Sequence, residues 1–239
     1  MKTILITGAN KGIGFETAKQ LAKAGYRVFL GSRDKENGNE AIKKLNDEGI
    51  NNVELLIIDV ADIESVRQAK MELEVKIDAL DILLNNAGIA GEQPQDFATG
   101  PMENLRNIFD VNFFGTIQTT QEFLPLLKKA KNASIINVSS EVGSIAMRLD
   151  TERVRNRDRY NAYGSSKTAL NAFTVMLANE LYDTGITVNS VTPGYTATDL
   201  NGFQGAKTVE QGAIAIVKMA IDPNPETAKF MKDGGEVAW

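Results

Sequence analysis

The chain has 239 residues with 43% hydrophobic and 24% charged residues, a formal charge of −5 and a pI near 5.0. This composition is typical of a folded globular protein, and we expect one unit that spans residues 1–239. The sequence contains no cysteine and no histidine. That excludes disulfide frames, thiolate nucleophiles, imidazole bases and the usual zinc motifs, so no metal is expected.

The acidic charge balance and the pattern of apolar residues restrict the partners. General affinity for nucleic acid depends on clustered cations, which the charge balance disfavours. The first apolar stretch stops at Gly8, and no run approaches the roughly 18 apolar residues of a membrane span. We therefore expect a soluble, cytoplasmic protein that acts on a small molecule and binds neither nucleic acid nor a membrane.

Short β-branched runs alternate with longer stretches of helical period along the chain. The predicted strands are Lys2–Thr7, Arg27–Leu30, Val53–Ile58, Asp81–Asn85, Ser134–Val138 and Thr187–Val191. The predicted helices are Gly12–Ala24, Glu36–Glu48, Ile63–Ile77, Met102–Lys128, Ala162–Tyr182 and Thr208–Met219. Several strands are nearly continuous in apolar residues, which indicates a sheet covered on both faces. The pattern predicts an α/β fold of the Rossmann type, a doubly wound parallel sheet with helices on both faces.

A glycine-rich loop, TGANKGIG at 7–14, joins the first strand to the first helix. Glycine permits a tight turn and a close approach of the backbone, while the free amides and the dipole of the helix start attract an anion such as a pyrophosphate. The residues expected to contact a dinucleotide here are Gly8, Asn10, Lys11, Gly12, Ile13 and Gly14.

Ser32 and Arg33 follow the second strand, where a dinucleotide fold selects its cofactor. An acidic residue there would hold the ribose of NAD, whereas arginine accepts a 2′-phosphate. Lys11 in the glycine loop adds a second cation, so NADP(H) is the expected cofactor. The alternative is that Arg33 and Lys11 are ordinary surface cations, with Asp34 pairing with Arg33.

Tyr163 and Lys167 lie at i and i+4, on one face of the predicted helix. A nearby cation stabilises a phenolate and lowers the pKa of the phenol, which makes Tyr163 the natural proton donor of a chain without histidine. Ser139 and Ser140 close a strand upstream and offer a hydroxyl to a carbonyl. Asn112 is a polar residue in an apolar helix, and its alternative role is structural: to cap a kink or to satisfy a backbone carbonyl.

Together, in this order, these motifs resemble those of the short-chain dehydrogenase/reductase family over nearly the whole chain. The resemblance implies that Asp59-Val60 contacts adenine, that Asn85-Asn86-Ala87-Gly88 braces the sheet, and that the segment 193–198 holds the nicotinamide amide. It also selects Ser140 over Ser139. The implied catalytic tetrad is Asn112, Ser140, Tyr163 and Lys167. The further cofactor contacts that the resemblance implies are Asp59, Val60, Asn86, Ala87, Gly88, Tyr163, Lys167, Pro193, Gly194, Thr196 and Thr198.

The resemblance also implies a mechanism that agrees with the chemistry of these residues. NADPH would deliver a hydride to a carbonyl carbon while Tyr163 protonates the oxygen and Ser140 orients it. Lys167 would lower the pKa of the phenol and bind the nicotinamide ribose. Asn112 would position a water molecule that links Lys167 to solvent.

Within the family, the sequences at 112–115 and 235–239 and the lengthened gap between Ser140 and Tyr163 resemble the NADPH-dependent carbonyl reductases. The expected function is the reversible reduction of a ketone, aldehyde or quinone. Two alternatives stay open: a 3-oxoacyl or steroid-type dehydrogenase on the same scaffold, and a regulator without catalysis that senses NADP(H).

Three further features concern the substrate and the assembly. A charged insertion at about 147–161 is expected to be a surface loop, with a substrate lid or a subunit contact as alternatives, and the choice between monomer and homo-oligomer stays open. The segment Tyr195–Lys207 is a candidate substrate-closing loop. Phe203, Met147 and Trp239 are candidates for an apolar substrate wall, or for plain packing.

Overall fold

A computed structural model describes residues 1–149 and 160–239, in which eight strands form one sheet in the order β3-β2-β1-β4-β5-β6-β7-β8. The strands are β1 (Thr3–Ile6), β2 (Arg27–Ser32), β3 (Val53–Ile57), β4 (Ile82–Asn85), β5 (Ser134–Val138), β6 (Thr187–Val191), β7 (Phe230–Lys232) and β8 (Gly235–Glu236). All neighbouring strands are parallel except β7 and β8. The predicted Rossmann-type sheet is confirmed, with an antiparallel edge that the sequence did not predict.

The helices are α1 (Gly12–Lys23), α2 (Lys35–Asp47), α3 (Ile63–Lys76), α4 (Met102–Phe109), α5 (Gly115–Leu127), α6 (Ile145–Leu149), α7 (Asn161–Glu180) and α8 (Val209–Ile221). The predicted single helix Met102–Lys128 is divided into α4 and α5 by a π-helical turn at Asp110–Phe114. The short helix α6 was not predicted.

Helices cover both faces because successive strand residues point to opposite sides of the sheet. In β1, Ile4 and Ile6 pack in one apolar cluster with α1, α2 and α8, while Leu5 packs in a second cluster with α3, α5 and α7. All three of these β1 side chains are fully buried. Burial on both sides explains why the strands are continuous in apolar residues rather than alternating.

Parallel strands bring their carboxyl ends to one edge of the sheet, and the loops that leave this edge form the site. The predicted insertion at about 147–161 lies partly outside the described residues. Residues 147–149 end α6 and residue 161 begins α7, while Asp150, Glu152, Arg153, Arg155, Arg157, Asp158 and Arg159 fall in the part that is not described.

Candidate active site

The glycine loop is held against the turn that follows β4. Gly8 and Gly12 have left-handed φ angles of 62° and 58°, which a side chain would strain. A Cβ atom at Gly8 would lie 2.9 Å from Cα of Ala87, and one at Gly14 would lie 2.6 Å from the carbonyl oxygen of Gly8. The loop therefore requires glycine at these positions to reach its neighbour.

Hydrogen bonds hold the same two segments together. The hydroxyl of Thr7 accepts from the amides of Asn86 and Ala87, each at 3.0 Å. The side-chain amide of Asn86 donates to the carbonyl oxygens of Thr7 at 2.9 Å and Gly8 at 3.0 Å. The polar turn 85–88 thus fixes the position of the glycine loop from the neighbouring strand.

A cavity of about 470 Å³ opens between these loops. Lys11, at this cavity, is the N-cap residue of α1. Its side chain cannot accept a hydrogen bond from the helix, so the first amides of α1 remain available to a ligand. This arrangement suits a phosphate-bearing ligand. The predicted residues that line the cavity are Gly8, Asn10, Lys11, Gly12, Ile13, Gly14, Arg33, Asp59, Val60, Asn86, Ala87, Gly88 and Thr198.

The two cations at this cavity have different surroundings. Arg33 is exposed and forms no ion pair with any residue that the structure describes. Asp34, the alternative partner considered for it, instead accepts from the amide of Asn37 at 2.7 Å and caps α2. Lys11 does form an ion pair, at 3.1 Å, with Asp199 on the opposite rim of the cavity. Arg33 is therefore the cation that is free to meet an anion.

Not every predicted cofactor residue reaches this cavity. The hydroxyl of Ser32 is buried and donates to the carbonyl oxygen of Asp34 at 2.7 Å, because the strand continues through Ser32 and turns its side chain inward. Thr196 is also buried, and Gly212 of α8 lies so close to it that a Cβ there would be 2.6 Å from the Thr196 hydroxyl. Neither these residues nor Pro193 and Gly194 line the cavity, whereas Thr198 in the same segment does.

Tyr163, Lys167 and Ser140 meet beside the cavity. Nζ of Lys167 lies 5.7 Å from the ring centroid of Tyr163 and donates to the carbonyl oxygen of Val138 at 2.9 Å. Ser140, two residues after β5, lies near enough to the phenol of Tyr163 to lower its pKa. A Cβ atom at Gly88 would lie 3.5 Å from Nζ of Lys167, so the ammonium lies next to a glycine that lines the cavity. The i, i+4 pair and the serine are therefore in one place.

Burial shifts the pKa values of both Tyr163 and Lys167. Burial raises the pKa of Tyr163 to about 12, and the nearby hydroxyl of Ser140 lowers it only in part. Burial also lowers the pKa of Lys167 to about 8. Desolvation dominates both pKa values, and the expected lowering of the phenol pKa by Lys167 stays a prediction. A phenol with a raised pKa stays protonated and is able to donate.

Asn112 is fully buried in the π-helical turn between α4 and α5. Its Oδ1 accepts from the amide of Ile89 at 2.8 Å, and its Nδ2 donates to the carbonyl oxygen of Ile89 at 2.9 Å and to the hydroxyl of Ser166 at 3.0 Å. The side chain thus has the structural role considered as the alternative. Its backbone carbonyl accepts from Thr116 at 3.2 Å.

A chain of buried hydrogen bonds runs below the site. Asn85 donates to Asn137 at 2.9 Å, Asn137 donates to Thr174 at 2.9 Å, and Thr174 shares a hydrogen bond of 2.9 Å with Ser190. These residues belong to β4, β5, α7 and β6 respectively. The chain braces the elements that carry the site, which is the role the resemblance gave to the turn at 85–88.

Several cavity residues were missed by the sequence reasoning: Ile58, Ile89, Ala90, Gly91, Val111, Asp199 and Leu200. Most are apolar or small residues next to a predicted motif, and nothing in their chemistry marks them. Of the candidate wall residues, Phe203 is 66% exposed and Met147 is half-buried, while Trp239 stacks on Phe230 with ring centroids 5.4 Å apart. Trp239 also accepts a hydrogen bond from the amide of Ala146 at 2.9 Å, so the C-terminal segment packs on α6.

Residues 1–149 and 160–239 contain neither a candidate metal site nor a membrane-spanning helix. No group of three or more His, Cys, Asp or Glu side chains is arranged to hold a metal ion. None of the helices in these ranges combines the length and the apolar character needed to cross a bilayer.

Comparison with known proteins identifies relatives over nearly the full length. The family model described as short chain dehydrogenase matches residues 2–208. A short-chain dehydrogenase of Penicillium roqueforti is 35% identical over 228 residues, covering 93% of this chain and 90% of the relative. Salutaridine reductase of Papaver bracteatum is 30% identical over 300 residues, covering 100% of this chain and 96% of the relative.

A solved structure gives the same result for the fold. The crystal structure of NADPH-bound carbonyl reductase from chicken fatty liver superimposes with a TM-score of 0.85 at 27% identity, covering 100% of this chain and 99% of that one. The similarity extends over the whole sheet and both helical layers rather than over the glycine loop alone.

Proposed function

This chain belongs to the short-chain dehydrogenase family, and we propose from that premise that it is an NADP(H)-dependent carbonyl reductase. The reaction is the reversible reduction of a ketone, aldehyde or quinone to the alcohol. One observation carries the proposal: the phenol of Tyr163, with its raised pKa, and the nearby hydroxyl of Ser140 lie beside a buried ammonium and a cavity lined by the glycine loop.

The residues that line the cavity fit the cofactor. The glycine loop and the first amides of α1 would hold the pyrophosphate, and Arg33, which has no ion pair among the described residues, would meet the 2′-phosphate. Asp59 and Val60 follow β3 and line the cavity, where the adenine would pack. An NADPH-bound relative of the same fold adds support for this choice of cofactor.

Four residues of this chain have separate roles in the proposed reduction. When bound, the nicotinamide supplies the hydride that adds to the carbonyl carbon. The phenol of Tyr163 donates the proton that the carbonyl oxygen takes, and the hydroxyl of Ser140 hydrogen-bonds the same oxygen and orients it. Lys167 holds its ammonium next to the phenol ring by donating to Val138. Asn112 keeps the loop at Ile89 in place beside them.

The substitution Tyr163→Phe tests the proposal because it removes the proton donor and keeps the ring. Loss of a general acid typically lowers the rate by about 10²- to 10⁴-fold, while the affinity for NADPH should remain. The measurement is NADPH oxidation with a panel of ketones, aldehydes and quinones, together with a fluorescence titration of NADPH. Equal turnover by both proteins would end the catalytic assignment.

The same panel addresses the alternatives. A preference for 3-oxoacyl esters or for steroid ketones over the other carbonyls would favour the dedicated dehydrogenase. NADPH binding by the wild type with no turnover of any carbonyl would favour the regulator. A single folding unit over 1–239, a cytoplasmic location and the choice between monomer and homo-oligomer stay predictions.

A further inference from the structure

The helix that carries Tyr163 begins without a cap of its own. Its N-cap residue Tyr160 makes no capping hydrogen bond through its side chain within the described part of the chain. Tyr163 is the third residue of α7, so its backbone amide has no acceptor inside the helix. A partner for this amide must come from elsewhere in the fold.

That partner is Gln95, which lies 68 residues earlier in the loop after β4. Its Oε1 accepts from the amide of Tyr163 at 3.0 Å, and its Nε2 donates to the carbonyl oxygen of Ala90 at 2.6 Å. The side chain is only 3% exposed. A glutamine buried to this degree with both ends bonded is held in one orientation.

A second path joins the same two segments. Asn112 binds both backbone groups of Ile89 and donates to the hydroxyl of Ser166. Ser166 in turn donates to the carbonyl oxygen of Tyr163 at 2.7 Å. The backbone N–H and C=O of Tyr163 are thus tied to Ala90 and Ile89, two adjacent residues of the cavity wall.

We propose that Gln95 is a positioning residue, which fixes the backbone of Tyr163 relative to the cofactor cavity. The inference rests on the proposed function, since a fixed phenol matters only if it donates a proton. Gln95 has no need to touch the substrate. It acts through the first turn of α7, where a displacement of about 1 Å would cost on the order of 100-fold in rate.

Three variants separate this role from a general effect on the loop. Gln95→Met keeps the size of the side chain and removes both hydrogen bonds. Gln95→Glu keeps the acceptor for Tyr163 and loses the donor to Ala90. Asn104→Leu is the matched control, because the side chain of Asn104 holds the same loop through both backbone groups of Glu92, at 2.7 and 3.0 Å, and neither of these hydrogen bonds involves α7.

The first readout is amide hydrogen exchange at Tyr163, measured by NMR on the protein without nucleotide. We expect protection in the wild type and exchange about tenfold faster in Gln95→Met, as loss of one net hydrogen bond of about 1.4 kcal/mol implies. Gln95→Glu and Asn104→Leu should retain the protection. An unprotected Tyr163 amide in the wild type would overturn the contact and the proposal together.

The second readout is kinetic, with a carbonyl that the wild type reduces. We expect kcat to fall by about 10- to 100-fold in Gln95→Met, with a Kd for NADPH within about twofold of wild type. Gln95→Glu should recover part of kcat, and Asn104→Leu should match the wild type. An unchanged kcat in Gln95→Met, with the amide protection lost, would overturn the positioning role. A wild type that reduces no carbonyl would refute the proposed function while the exchange data still test the contact.

Discussion

Replacing Lys167 with methionine should make the protein more stable while it removes activity. Lys167 is 4% exposed, and burial lowers its pKa from 10.5 to about 8. At about 1.4 kcal/mol per pKa unit, keeping this amine charged at pH 7 costs the folded state about 3 kcal/mol. The substitution also removes the hydrogen bond to Val138, worth about 1 kcal/mol. We expect Lys167→Met to raise the free energy of unfolding by about 2 kcal/mol at pH 7.

The sign of the pH dependence follows from the direction of the pKa change. Because the pKa of Lys167 is lower in the folded state, the unfolded chain binds more protons between pH 8 and 10.5, and wild-type stability rises with pH in that window. Between pH 7 and about 9.5 the wild type should gain about 2 kcal/mol relative to Lys167→Met. Subtracting the variant removes the titration of groups that both proteins share.

Urea denaturation without nucleotide, followed by circular dichroism at several pH values, measures both quantities. Lys129→Met, which removes an exposed lysine that precedes β5, controls for the loss of one positive charge. Parallel pH profiles for wild type and Lys167→Met, or a variant that is less stable at pH 7, would refute the reasoning.

Three predictions concern the cofactor and the rate. Arg33→Asp should weaken NADPH binding by about 30- to 100-fold and leave NADH binding unchanged, since it reverses the charge proposed to face the 2′-phosphate. Titration of the protein with both nucleotides measures this effect. A wild type that uses NADH as well as NADPH would contradict the prediction. Asp199→Asn should tighten NADPH binding by about two- to fivefold because it releases Lys11 from its exposed ion pair; the same change in a Lys11→Met background should have no effect. For carbonyl reduction, kcat/KM should be level at mildly acidic pH and fall above about pH 8. In that range Lys167 loses its proton, while Tyr163, with a pKa of about 12, keeps its own. A pH profile without this inflection would show that another step limits the rate.

The sequence was sufficient for the parts of the fold that local patterns determine. Strands β1 to β6 and the glycine loop follow from apolar runs and turn residues, so their positions agree with the structure within a few residues. Strand β7 has only three residues, and it exists because Phe230 pairs with Ser190 forty positions earlier. A contact of this kind leaves no periodic signal in the short segment itself.

The candidate active site likewise has features that follow from the local sequence and features that depend on the assembled fold. The spacing of Tyr163 and Lys167 predicts that they share a helix face, since helix geometry is local. The direction of their pKa changes depends on how many atoms of other segments surround them, which no spacing reports. The contact between Gln95 and Tyr163 joins a loop to a helix start, and the inward turn of Ser32 depends on where β2 ends. These features require the assembled fold.

The buried chain from Asn85 through Asn137 and Thr174 to Ser190 has a consequence for how new specificities arise. A slip of β4, β5 or β6 by one residue would turn its amide or hydroxyl to the opposite helical layer and leave buried polar atoms unpaired, at about 1 to 3 kcal/mol each. Alternative alignments of the three strands are therefore strongly disfavoured. If the segment 195–207 closes over the substrate as predicted, insertions or exchanges there can change the substrate entrance while Tyr163, Ser140 and Lys167 keep their mutual alignment.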